Sequence, residues 1–123
     1  MKKFFLVDLK SYTDERGELI PFELNKNCPF DIKRAFTIAN VPSSDIVRGN
    51  HINVKSKCFI IPLQGSVTID CKVDDTVETY ILNSNHKGLF IDIGVYRKLY
   101  NFSNDAILLC LADNYYEQKE YIV

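Results

Sequence analysis

Hydrophobic positions along this chain come in short bursts. Some alternate with polar residues and some run together, and most bursts end near Gly, Pro, Asn or Asp. That rhythm predicts β-strands separated by turns. Lys3 to Val7 is a first strand. The polar turn Thr13-Asp14-Glu15-Arg16-Gly17 leads to a second, Glu18 to Phe22, and Asn25 to Pro29 breaks the chain again. Further strands are predicted at Ile32 to Ala39, Ile46 to His51, Cys58 to Leu63, Val67 to Val73 and Val77 to Leu82. Beyond the polar loop Asn83 to Gly88 come Leu89 to Ile93, Arg97 to Phe102 and Ala106 to Leu111. No segment sustains a helical period over three turns, although Asp113 to Tyr121 could close as a short helix or turn. About ten short strands with almost no helix predict an all-β sandwich or barrel.

Composition narrows the partners more than the fold. A chain of 123 residues is long enough for one domain with a real core. A formal net charge of −1, with acids and bases mixed, leaves no basic footprint for nucleic acid and no polybasic membrane anchor. The start, Met1-Lys2-Lys3-Phe4-Phe5-Leu6-Val7, resembles a signal peptide. Its apolar run stops at Asp8, too short for a signal core or a membrane helix. Cys28, Cys58, Cys71 and Cys110 form no C-x-x-C pair, and they read as small buried hydrophobes in a reducing cytoplasm.

The chemistry gathers in Val47-Arg48-Gly49-Asn50-His51-Ile52-Asn53. His51 is one of only two histidines, which argues against a metal site built from several imidazoles and a carboxylate. An imidazole titrates near neutrality and suits general acid–base work. The competing reading is a barrel histidine satisfied by backbone hydrogen bonds. Asn53, two residues on, projects from the same face of a strand. Arg34 and Arg48 are candidates for an anionic ligand, because a guanidinium forks onto two oxygens of a phosphate or carboxylate; the competing reading is a rim ion pair. Lys33 and Lys55 are weaker candidates for the same task. Arg16 is either a solvated turn charge or a ligand contact, Phe36 either pocket lining or core. Tyr115 and Tyr116 suit packing or base stacking, and His86 suits a solvated loop.

Several segments, taken in order, carry a resemblance. They are Asp14-Glu15-Arg16-Gly17-Glu18-Leu19, Pro29-Phe30-Asp31-Ile32-Lys33-Arg34, Arg48-Gly49-Asn50-His51 and Leu63-Gln64-Gly65-Ser66. Gly88-Leu89-Phe90-Ile91, Leu111-Ala112-Asp113-Asn114-Tyr115-Tyr116 and Glu120-Tyr121-Ile122 complete the set. Together they resemble the dTDP-4-keto-6-deoxyhexose 3,4-ketoisomerases, the WxcM-like sugar-nucleotide cupins. The resemblance implies a cupin fold over residues 1–123, a double-stranded β-helix or jelly-roll-like barrel. It implies migration of a sugar ketone from C4 to C3 through an enediol, with no metal or other cofactor. It further implies a homodimer exchanging N-terminal strands, a cytoplasmic location, and a product aminated into 3-amino deoxy sugars for surface glycans. The implied catalytic group is His51 with Arg97 and Asn53; the implied substrate contacts are Arg16, Arg34, Arg48, Phe36 and Lys55.

The chain departs from the family pattern at particular places. Asn53 stands for a second His, Phe36 for a Tyr, Lys57-Cys58 for Glu-Gln, Asp92-Ile93 for Gly-Pro and Tyr96 for a Trp. Two further readings stay open on the same scaffold: a non-catalytic nucleotide-sugar-binding cupin, and an epimerase.

Overall fold

The computed structural model describes residues 2–117 and 121–122. The strands, in chain order, are β1 (Phe4–Asp8), β2 (Tyr12–Asp14), β3 (Gly17–Leu19), β4 (Arg34–Ala39), β5 (Arg48–Asn53) and β6 (Cys58–Gln64). They continue with β7 (Val67–Val73), β8 (Thr76–Leu82), β9 (Lys87–Ile91), β10 (Tyr96–Tyr100), β11 (Ile107–Ala112) and β12 (Tyr121–Ile122). One five-stranded sheet has the order β1-β9-β6-β11-β4, the other β12-β5-β10-β7-β8, and β2 pairs only with β3. Every paired strand runs antiparallel. The two sheets face each other as a jelly-roll-like barrel.

The apolar run of β6 is explained by burial on both faces. Cys58 and Ile60 point between the sheets with Val67, Ile69, Leu89, Ile91 and Leu108. Phe59 and Ile61 point the other way, into a second cluster with Leu9, Cys28, Phe30, Phe90 and Leu111. A strand buried on both faces has no reason to alternate. Each such side chain contributes about 1.5–3 kcal/mol by leaving water. Gly88 on β9 makes room for this: a Cβ there would meet the Phe59 ring at 2.4 Å.

The predicted strands are present, with shifted ends. Glu18 to Phe22 shortens to β3 because Pro21 has no N–H to give a ladder. Ile32 to Ala39 begins only at Arg34, while Lys87 and Gly88, expected in a loop, already belong to β9. The turn expected at Thr13 to Gly17 is the tip of the β2–β3 hairpin. The tail is a correction. Asp113 and Asn114 bend, no described residue is helical, and Tyr121–Ile122 pairs with β5 as an added strand. Residues 118–120, which carry part of the tail expectation and Glu120 of the resembling motif, lie outside the described residues.

Candidate active site

The site is built around an irregularity in β5. Arg97 on β10 pairs with His51, but the next residue, Lys98, pairs with Gly49, so Asn50 is an extra residue in the ladder. Gly49 and Asn50 both have positive φ, 70° and 60°. Such a bulge re-aims the side chains around it. In a regular strand Arg48 and His51 would face opposite sides, being an odd number of residues apart. Here both line one cavity, together with Asn53. Gly49 sits tight against β10: an added Cβ would meet the Arg97 carbonyl oxygen and the Leu99 side chain at 3.2 Å each.

The cavity measures about 170 Å³ and opens between the sheets. One wall carries Arg48, His51, Asn53 and Arg97; the other carries Arg34, Phe36, Cys58 and Cys110. Tyr121 joins the first wall, its ring meeting the His51 ring edge-on with centroids 4.4 Å apart. Arg97 is buried, and its guanidinium donates from Nε and one Nη to the Val95 carbonyl at 3.3 and 3.2 Å. Burial pushes its pKa below the usual arginine value. Among the described residues no carboxylate forms a salt bridge with it, so this cation stands ready for a ligand oxygen. Arg34 lies over the rings of Phe36 and Tyr116, 5.6 and 5.7 Å from their centroids. Among the described residues, no three of His, Cys, Asp and Glu gather as a metal site.

The expected site residues separate into two groups. His51, Asn53, Arg97, Arg34, Arg48 and Phe36 all line the cavity. Lys55 does not; it forms an ion pair with Glu117 outside. Arg16 does not either. It lies at the exposed tip of the β2–β3 hairpin, bound to Asp14 at 2.6 Å. Asn53 has structural work: its Oδ1 accepts the backbone N–H groups of Lys55 and Ser56, at 3.0 and 2.8 Å. That leaves its amide nitrogen as the group available to a ligand.

Comparisons with known proteins establish the family. The family model described as FdtA, WxcM-like, C-terminal, matches residues 2–123. The chain belongs to this family. A curated FdtA-like relative, TDP-4-oxo-6-deoxy-alpha-D-glucose-3,4-oxoisomerase of Aneurinibacillus thermoaerophilus, is 31% identical over 117 residues, 95% of this chain and 84% of the relative. Among solved structures, a His-to-Asn variant of the 3,4-ketoisomerase QdtA of Thermoanaerobacterium thermosaccharolyticum superposes with a TM-score of 0.93. It is 36% identical, with 99% of this chain and 88% of that one covered, and it holds TDP-4-keto-6-deoxyglucose. WlaRA, the TDP-fucose-3,4-ketoisomerase of Campylobacter jejuni, gives 0.93 at 38% identity, covering 98% and 89%. The barrel is therefore the cupin fold of the FdtA ketoisomerases.

Within the FdtA frame, sequence reasoning missed several cavity residues. Lys57, Cys58, Cys110 and Tyr121 all line the hollow. Cys58 and Cys110 were legible only as core, since a thiol in an apolar run carries no sign of facing a cavity. Tyr121 lies 70 residues beyond His51 in the chain, and only the β5–β12 pairing brings them together.

Proposed function

We propose that this chain is a TDP-4-keto-6-deoxyhexose 3,4-ketoisomerase with His51 as its base. The observation that carries the reading is the pairing of His51 with a buried Arg97 in one hollow, in a chain of this family. The cavity is smaller than the ~300–1,000 Å³ of a typical ligand pocket. It suits the sugar ring, with the nucleotide lying beyond its mouth.

His51 takes the proton from C3 while the C4 ketone oxygen takes up a proton, giving an enediol. His51, its proton exchanged with solvent while the enediol stands, then protonates C4, and O3 gives up its own proton as it becomes the ketone. No atom is gained or lost overall. Negative charge develops on the sugar oxygens as C3 is deprotonated, and the fixed Arg97 guanidinium opposes it. Arg48 and Arg34 suit the pyrophosphate, Phe36 packs against the ligand, and the Asn53 amide donates to a sugar hydroxyl.

Among the described residues, the exposed β2–β3 hairpin pairs with no other strand. It suits exchange between two copies, which would carry Arg16 to the neighbouring chain's cavity. A sedimentation experiment finding a stable homodimer supports this arrangement, and a monomer at micromolar concentration sinks it. The location fits a reducing cytoplasm, since all four cysteines are free.

The decisive experiment is incubation with TDP-4-keto-6-deoxyglucose in deuterated water, followed by proton NMR. Deuterium at C4 with a ketone at C3 is the expected result. Binding without exchange would make the protein a nucleotide-sugar-binding cupin, and exchange at C3 or C5 with the 4-ketone retained would make it an epimerase.

A further inference from the structure

The isomerisation moves protons on carbon and protons on oxygen. His51 carries the carbon proton. While it holds that proton it cannot also supply the one that O4 needs, so the oxygens require a second carrier. The end of the chain brings a phenol to that place.

Three neighbouring strands, β12, β5 and β10, set the groups side by side. Tyr121 is the cross-strand partner of Asn53, and Arg97 is that of His51. Directly paired residues share a face of the sheet, and so do residues two apart on one strand. Tyr121, Asn53, His51 and Arg97 therefore face one hollow, and all four line it. Tyr121 is the diagonal neighbour of His51, and their rings meet edge-on with centroids 4.4 Å apart. Tyr121 is also near enough to Arg97 for a charge on the phenol oxygen to act on the guanidinium.

We propose that Tyr121 is a catalytic residue whose phenol moves the oxygen proton: it gives its own proton to O4 and takes up the one that leaves O3. This role rests on the ketoisomerase reading. A hydroxyl both donates and accepts, which the task demands of a single group. O3 and O4 sit on adjacent carbons and lie in one plane in the enediol, so one phenol oxygen can serve both. Among the described cavity residues Tyr121 is the one phenol. Lys57, Cys58 and Cys110 also carry protons, but they stand at the opposite sheet, across the hollow from the His51 strand.

The step balances without a co-reactant. His51 takes the C3 proton, and the C3–H electron pair becomes the C3–C4 double bond. The C4–O π pair forms the O4–H bond with the Tyr121 proton, leaving a phenolate whose charge the Arg97 guanidinium meets. In the second half C4 is protonated from His51. The O3–H pair becomes the new carbonyl π bond, and the O3 proton returns to Tyr121. Both side chains end as they began.

The test is Tyr121→Phe, which keeps the ring and removes only the hydroxyl. It is assayed beside the wild type with TDP-4-keto-6-deoxyglucose in deuterated water. Its kcat should fall by about 10²-fold, within the usual worth of a general acid. Affinity for the TDP-sugar should stay within about threefold, since the loss falls on the transition state and not on binding. The His51 ring, followed by NMR, should titrate within about half a pH unit of wild type. Tyr121 replaced by a ring-fluorinated tyrosine, a more acidic phenol of similar shape, should keep turnover and move the alkaline limb of the kcat profile to lower pH. That variant also serves if the phenylalanine variant fails to fold. A Tyr121→Phe kcat within about tenfold of wild type overturns the role and leaves water as the carrier. So does a fall in kcat accompanied by a shifted His51 titration, which would make Tyr121 a support for the imidazole. An alkaline limb that fluorination leaves unmoved overturns it as well. A wild-type protein that neither exchanges nor migrates the ketone overturns the ketoisomerase reading itself, and the Tyr121 role with it.

Discussion

Arg48 and His51 lie three positions apart on β5 and line the same cavity, an arrangement that a regular strand cannot produce. The extra residue at Asn50 corrects the parity, and the positive φ of Gly49 lets the backbone take the bulge. Gly49→Val should therefore do more than cost stability. A β-branched residue at φ +70° is strained, by about 1–3 kcal/mol. Its Cβ would also press on the Arg97 carbonyl and Leu99. The expected outcome is a lower urea midpoint together with a fall in kcat, since His51 and Arg97 both shift. An unchanged kcat with lowered stability would show that the bulge does not aim the site.

His51→Asn tests the base. Its removal should slow deuterium exchange into the sugar by roughly 10²–10⁴-fold, the usual worth of a general base. Affinity for the TDP-sugar should stay within a few-fold, because the cations proposed for the diphosphate are untouched. Both are measurable on one sample, by NMR and by calorimetry. Exchange at the wild-type rate removes His51 from the mechanism.

Arg97, proposed to oppose charge on the sugar oxygens, is held at a cost in stability. A buried guanidinium whose Nε and one Nη bond only a backbone carbonyl has incomplete compensation for leaving water. Arg97→Met should be at least as stable as wild type in urea and should lose isomerisation. A variant that unfolds readily would mean that the guanidinium is structural.

Asn53 separates turn-building from catalysis. Its Oδ1 holds two backbone donors, so Asn53→Ala should destabilise the chain by about 1–3 kcal/mol by leaving them unsatisfied. Asn53→Asp keeps both acceptors and should remain close to wild type in thermal melting. Equal melting of all three forms would remove the structural role.

The hairpin should loosen in acid. Glu18 accepts from His86 and Asn85, which holds its carboxyl below the ordinary glutamate value of 4.5. A carboxylate with a depressed folded-state pKa gives stability that is present above 4.5 and lost as pH falls through its folded value. Amide protection across residues 12–19 should be level from pH 7 to 5 and decline below 4.5. In His86→Ala the decline should shrink, because the principal partner is gone.

The sequence by itself determined the strands, the all-β class and the importance of the Arg48–Asn53 stretch. These are local properties: alternation, turn residues and one imidazole among few are visible within a handful of positions. The apolar run of β6 was visible too, although its burial on both faces was not read from it. Tertiary structure decided which of the candidate cations meet. Lys55 and Arg48 are both candidate ligand cations in the chain, yet Lys55 pairs outside with Glu117 and Arg48 reaches the cavity through a bulge. It also decided that Tyr121 meets the His51 ring edge-on and that Cys58 and Cys110 share a wall. Those relationships depend on strand register across large sequence separations, and register is set by how all the strands pack at once.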